Sequence, residues 1–344
     1  MHRRNLFRAA ELGDIFSAFG LSEELPPELT LIRASRQAMA TLFEIFLPYS
    51  LPNSMQAADA AFDLIDEMED QLTVYRNSSE VSKLNACAAS EFIPVAPNLF
   101  ELLVRCQKLH RETQGCFDPA TGAMTRSWGF FAREGKVPET ADRIQAMHNS
   151  GFRHLILDAE KQSVKFRKPG LELNFGGIGK GYALDRASAL LRQNWGVNSA
   201  LLHGGSSSIV ATGYPAGQPL GWPIAVKHPW NPERILGTLF LRDVALGTSA
   251  ATFQYFEYNG SRLGHILDPR KGWPAEGVAS VSVMAANAAD ADALSTALFV
   301  MGLEESIEFG RTHPEISALI LPDSPHAELI SINLPSQWAT FRPG

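Results

Sequence analysis

The chain has 344 residues, 45% hydrophobic and 19% charged, which excludes a disordered chain and fits a globular body of one large or two intimate domains. Its net charge of -7 excludes a nucleic-acid backbone as main partner and leaves open a small anion held locally. Three cysteines without a CxxC exclude a disulfide framework and a thiolate zinc site, and no run of eighteen apolar residues exists to form a transmembrane helix.

The start, "MHRRNLFRAAELGDIFSAFG", lacks the apolar core and small-residue cleavage site of an export signal. It predicts an amphipathic N-terminal helix and a cytoplasmic location. Residues 38–48, "AMATLFEIFLP", alternate like a strand. Over 56–72, Ala58, Ala61, Phe62, Ile65, Met68 and Leu72 recur at helical spacing. A second helix is expected from Asn98 to about Thr113, with Asn98 as cap and Glu101 completing a capping box. "GCFDPATGAMTRSWGFF" reads as a long lining loop, and "HLILDAEKQSVKF" as a hairpin. "LELNF" reads as a strand that feeds a helix from about Gly181.

Further strands are expected in "NSALLHGGSSSIVATG", "WPIAVKHP", "ILGTLFLRDVALGTS" and "GVASVSVMAA". A helix then runs from Asp290 to about Met301, and "ISALILP" is a late strand. Helices cluster early and strands dominate later, which predicts an α+β fold.

Three stretches carry chemistry. "NFGGIGKGYALD" is rich in glycine at a helix start, where free N–H groups and the helix dipole favour an anion, and Lys180 adds charge. It fits neither GxxxxGK[ST] nor GxGxxG; on its own it suits a phosphate cradle and a tight turn equally. In "AADADALSTALFVMG", Asp292 and Thr296 stand four apart on one helix face, where a carboxylate and a hydroxyl can share a hard cation such as Mg²⁺. Taken alone, an acid near a helix start and a back-bonding threonine explain that pair more simply. In "GHILDPRKGWP", His265 can serve as a general base or as a packed residue beside an Asp-Pro turn. No GxSxG or HExxH occurs.

Six segments taken in order resemble the ApbE family of FAD:protein FMN transferases, from about Met39 to Gly302. They are "MATLFEIFLP", "MEDQLTVYRNSSEVSKLNA", "GCFDPATGAMTRSWGF", "LELNFGGIGKGYALDRASALL", "GHILDPRKGWP" and "ADALSTALFVMG". The resemblance implies an α+β body with a mixed, largely antiparallel sheet and flanking helices, over 36–335 after an extension at 1–35. It implies FAD as substrate, Mg²⁺ as cofactor and an acceptor flavoprotein as partner. FMN would pass to a threonine of that acceptor, with release of AMP. Some relatives hydrolyse FAD to FMN and AMP instead.

By the same resemblance, Asp292 and Thr296 hold the metal together with a backbone carbonyl at Gly177. Gly176, Gly177, Gly179 and Lys180 face the pyrophosphate, and Met39 and Tyr75 flank the nucleotide. Asp118 and Asp185 are either nucleotide contacts or structural turn and helix residues. His265 deprotonates the attacking threonine or water. Two departures stand out. Ser206–Ser208 replaces the acid that relatives usually carry after the glycines, and "GTSAATF" at Ala250–Thr252 lacks an acid that usually precedes the histidine motif. They keep a non-catalytic FAD-binding protein in play as an alternative.

Overall fold

Alternation along the strands decides which side of the sheet meets which layer. Ile45 and Leu47 pack with the helices, while Phe46 between them packs against a second sheet. The computed structural model describes residues 4–6, 31–252, 254–324 and 326–341. Nine strands pair in chain order: β1 (Arg4–Leu6), β2 (Leu31–Ala38), β3 (Thr41–Pro48), β4 (Ala200–Gly204), β5 (Ser208–Thr212), β6 (Val244–Ala250), β7 (Val278–Ala285), β8 (Ser317–Pro322) and β9 (Ile330–Ile332). Every neighbouring pair is antiparallel.

One face is covered by helices, chiefly α1 (Ser54–Leu72), α2 (Pro97–Glu112), α3 (Gly179–Trp195) and α4 (Ala288–Thr312). The other face carries a three-stranded sheet of Trp222–His228, Asn231–Leu241 and Ala339–Phe341. Trp222, Leu239 and Leu241 bury against Phe46, Leu201 and Leu246 there, each contributing roughly 1.5–3 kcal/mol of transfer free energy. The architecture is the α+β arrangement with an antiparallel sheet that the sequence predicts.

Several local expectations are corrected. The strand expected at 38–48 is the second arm of a hairpin. Met39 and Ala40 turn with φ of 47° and 60°, the left-handed pair of a two-residue hairpin loop, without the usual Asn-Gly signal. The boundary drawn at residue 35 falls inside β2. Asn98 does not cap α2. Ala96 does, because Pro97 takes the first helical position, and Asn98 instead exchanges hydrogen bonds with the Gln71 side chain.

The stretch "GCFDPATGAMTRSWGFF" contains a short helix, Gly122–Ser127, and a turn of 3₁₀ helix, Phe130–Ala132. "LELNF" forms no strand ladder. The Asn85 side chain substitutes for a neighbouring strand, accepting from Leu173 N–H at 2.8 Å and donating to its carbonyl at 3.0 Å. "WPIAVKHP" and "ILGTLFL" pair with each other in the second sheet, and "VALGTS" alone joins the first. The N-terminal helix expected over the first twenty residues lies outside the described residues, except that Arg4–Leu6 is a strand.

The helix expected from Asp290 to about Met301 is longer than that span. α4 reaches Thr312 but is broken at Gly302, whose φ of 77° and ψ of -172° are not helical. Ser306 Oγ bridges the break by donating to the Leu298 carbonyl at 3.0 Å. Among the described residues no helix is long and apolar enough to cross a membrane.

Two cavities flank the central strands. One of about 470 Å³, mostly apolar, lies between the two sheets among Phe46, Trp222 and Leu246. The other, about 400 Å³, opens at the glycine loop on the helical side. Thr248 borders both.

Candidate active site

The 400 Å³ cleft gathers the chemistry-bearing residues. Met39, Tyr75, Asp118, Gly176, Gly177 and Lys180 border it, as do His265, Asp292 and Thr296. Gly179 and Asp185 do not.

The glycine loop is built from its own backbone. Asn174 Oδ1 accepts from Gly176 N–H at 3.0 Å, an Asx turn, and buried Phe175 and Ile178 anchor the loop beneath. α3 starts at Gly179, two residues before the expected Gly181. Gly179 sits behind the cleft against Phe175 and Leu72. Gly181 serves close approach, since a Cβ there would lie 2.1 Å from the Ala288 carbonyl oxygen at the start of α4. Asp185 serves the same contact. Its two carboxylate oxygens accept from Ala288 N–H at 2.7 Å and Ala289 N–H at 2.9 Å, satisfying free donors at the α4 N-terminus. Burial pushes its carboxyl up to about 6. The carboxylate thus ties α3 to the start of α4.

Asp292 is buried, and Oδ2 accepts from Gly181 N–H and from Ser208 Oγ, both at 2.8 Å. Oδ1 has no hydrogen-bond partner among the described residues. Burial pushes the carboxyl up to about 6, against the pull of Lys180 and of those two donors. Thr296 Oγ1 donates to the Asp292 carbonyl at 3.2 Å, so the simple back-bond is real, yet Thr296 also borders the cleft. Ser249 Oγ lies 3.2 Å from Thr296 Oγ1 and 2.9 Å from Ser295 Oγ. A Cβ on Gly177 would lie 3.3 Å from Thr296 Oγ1, so the glycine loop rests directly on this hydroxyl.

Among the described residues no group of three His, Cys, Asp or Glu side chains is placed to hold a metal. A cation here would rely on one carboxylate and neutral oxygens. That donor set fits Mg²⁺, a hard ion that keeps waters and substrate phosphates in its shell. The buried Asp292 charge also gains from a cation beside it.

His265 Nδ1 lies 3.1 Å from the Gln254 carbonyl oxygen. A carbonyl only accepts, so Nδ1 carries the proton and Nε2 holds the free lone pair. Burial lowers the histidine below its usual 6.5, and the Lys180 charge lowers it further against that hydrogen bond. The ring is a neutral base at neutral pH. Phe130 holds it edge-on at 6.4 Å.

The nucleotide-flanking residues divide by environment. The Met39 N–H donates to Glu69 Oε2 at 2.5 Å, fixing the hairpin turn at the rim. Tyr75 is 72% exposed and meets Phe131 edge-on at 5.7 Å. Asp118 borders the cleft but spends its oxygens on Ala120 N–H at 2.8 Å and Phe152 N–H at 3.0 Å, which ties down the "FDPATG" turn.

Ser207, Thr248, Ser249, Gln254 and Ser295, to which the sequence assigned no site role, also border the cleft. The available signal was that Ser295 adjoins Thr296, whereas the approach of α4 to Gly247 in β6 is visible only in the fold.

The ApbE family pattern matches residues 39–320. The FAD:protein FMN transferase of Treponema pallidum is 33% identical over 281 residues, covering 78% of this chain and 77% of that protein. The one from Klebsiella pneumoniae is 31% identical, covering 77% and 81%. The crystal structure of the ApbE protein of Thermotoga maritima superposes with a TM-score of 0.79 at 28% identity, covering 88% of this chain and 96% of that one. These matches define a flavin-transferase class of protein. The chain belongs to the ApbE family.

Proposed function

We propose that this chain moves FMN from FAD to a threonine hydroxyl of an acceptor flavoprotein, in a Mg²⁺-dependent reaction that releases AMP. One observation carries the reading: Lys180, His265, Asp292 and Thr296, from three separate segments, border one cleft beside the glycine loop. Phosphoryl transfer depends on positioning and charge neutralisation more than on covalent catalysis, and this set supplies both. The relatives named above, FAD:protein FMN transferases, support the same chemistry.

In this reading Asp292 and Thr296 hold Mg²⁺, with a backbone carbonyl at Gly177. When bound it supplies charge neutralisation at the pyrophosphate oxygens. Gly176 and Gly177 let the backbone approach those oxygens, and Lys180 adds a fixed positive charge. His265 Nε2 takes the proton of the acceptor hydroxyl. The hydroxyl oxygen bonds to the FMN phosphorus as the bond from that phosphorus to the AMP oxygen breaks. AMP leaves with that electron pair.

Incubation with FAD, Mg²⁺ and an acceptor protein should give AMP by chromatography and a fluorescent acceptor on a denaturing gel. AMP without labelled acceptor would place the chain among hydrolases. A yellow protein that leaves FAD whole would make it a binding protein and end this reading.

The histidine sets a pH dependence. The active form is the neutral ring, and burial holds its pKa below 6.5. AMP release should therefore hold through neutrality and fall as pH drops through that lowered value. At saturating Mg²⁺, where the ion keeps Asp292 ionised although burial pushes its carboxyl up to about 6, His265→Gln should lose about 10²- to 10⁴-fold in rate together with this acid limb. An unchanged limb in the variant would remove His265 from the role of base.

A further inference from the structure

Ser208 has no part in the reaction above. It opens β5 and pairs across the ladder with Gly204 of β4 and Gly247 of β6. Directly paired residues share one face of a sheet. At Gly247 that face carries no side chain, and a Cβ there would lie 2.3 Å from the Ala291 carbonyl carbon and 2.5 Å from Asp292 N. α4 thus rides on bare backbone at this point. A side chain as short as serine reaches the helix from the neighbouring strand, and the Ser208 hydroxyl, fully buried, donates to Asp292 Oδ2 at 2.8 Å.

The second donor to the same oxygen, Gly181 N–H, comes from a different element, the first turn of α3. Oδ2 is thereby held by both β5 and α3. The terminal torsion of an aspartate is broad and roughly two-fold, so a single hydrogen bond leaves the carboxylate plane free to swing. Two donors fix it. Oδ1 then has no protein partner among the described residues and remains available at the cleft that Asp292 borders.

We propose that Ser208 is a positioning residue for the cation site: it fixes the Asp292 carboxylate so that Oδ1 is presented to the ion. The proposal rests on Asp292 being a cation ligand, as argued above. It also changes the meaning of "GGSSS". Within that run the hydroxyl at position 208 complements the Asp292 carboxylate, whereas a second carboxylate at that distance would repel it.

Mn²⁺ titration of the full-length protein, followed by the electron paramagnetic resonance signal of the free ion, tests this, with thermal melting of the same samples. Outer hydrogen-bond partners of metal ligands are worth about 10- to 100-fold in affinity. Ser208→Ala should bind Mn²⁺ at least about tenfold more weakly while melting close to the parent. Ser208→Cys, which keeps the volume and weakens the donor, should fall between the two, and it decides the matter if the alanine variant does not fold. Asp292→Ala should bind none. Parent-like Mn²⁺ affinity in Ser208→Ala, or in Ser208→Cys where that variant decides, overturns the role of Ser208 and leaves Asp292 as ligand. Equal binding by the parent and Asp292→Ala, or none by the parent, overturns the ligand reading itself and Ser208 with it.

Discussion

Asp292→Ala is expected to cut AMP release from FAD by roughly a thousandfold or more while leaving a folded protein. The magnitude follows from charge. Neutralising a developing phosphate charge is worth several kcal/mol, and about 4 kcal/mol corresponds to a thousandfold in rate. Among the described residues no other cluster of acidic, histidine or cysteine donors could take over, and Thr296 and Ser249 offer only neutral oxygens. The fold should tolerate the change because two effects oppose each other. Gly181 N–H and Ser208 Oγ lose their acceptor, at about 1–3 kcal/mol each. The same substitution removes a carboxylate whose ionised form burial already disfavours. Chromatography of AMP against Mg²⁺ concentration checks this, and activity within tenfold of the parent would remove Asp292 from the centre of the reaction.

Gly181→Ala should damage both stability and activity. Its new Cβ would lie 2.1 Å from the Ala288 carbonyl oxygen and 2.8 Å from Ala289 N, and backbone cannot move aside as a side-chain tip can. Overpacking of this kind costs about 3 kcal/mol, a fall in melting temperature on the order of 4 °C for a chain of this size. The separation of α3 from α4 also pulls Gly181 N–H away from Asp292 and loosens the Asp185 contacts at Ala288 and Ala289. Gly196→Ala is the control. That glycine ends α3 with φ of 64° and open space around it, so alanine should cost only about 1 kcal/mol and leave activity intact. Equal melting temperatures for Gly181→Ala and the parent would show that the two helices can part without strain.

The contrast between these glycines marks what the sequence could disclose. "GGIGKG" announced a glycine-rich turn at a helix start, suited equally to an anion and to close packing, and the Asp292–Thr296 spacing announced a shared helix face; both depend on neighbours a few residues apart. That Gly181 is required by Ala288, or that Asp185 caps a helix a hundred residues later, depends on which elements meet, and no local pattern encodes it. "LELNF" shows the same limit from the other side. Its alternation is real, with Leu171, Leu173 and Phe175 buried, but an asparagine side chain supplies the partner that a strand would have supplied. The Met39–Ala40 turn was invisible because its residues are not those that favour left-handed backbone. Ser208 was noticed only as a missing acid, since its hydroxyl acquires meaning once α4 lies over Gly247.

The break at Gly302 has a consequence for how the molecule opens. A helix unzips along its hydrogen-bond ladder, and a non-helical residue interrupts that ladder, so the two halves of α4 need not open together. The segment before the break, with Asp292 and Thr296, is clamped between α3 and β6. The segment after it is held by Phe309 in the core, by the Asn333 side chain on the Gly310 carbonyl, by the salt bridge from Arg270 to Glu305 and by the Ser306 bridge. Amide protons of 303–312 should therefore exchange with solvent water well before those of 288–301. Gly302 acts as a firebreak, and fraying that starts at the far end of the helix dies out before it reaches the carboxylate.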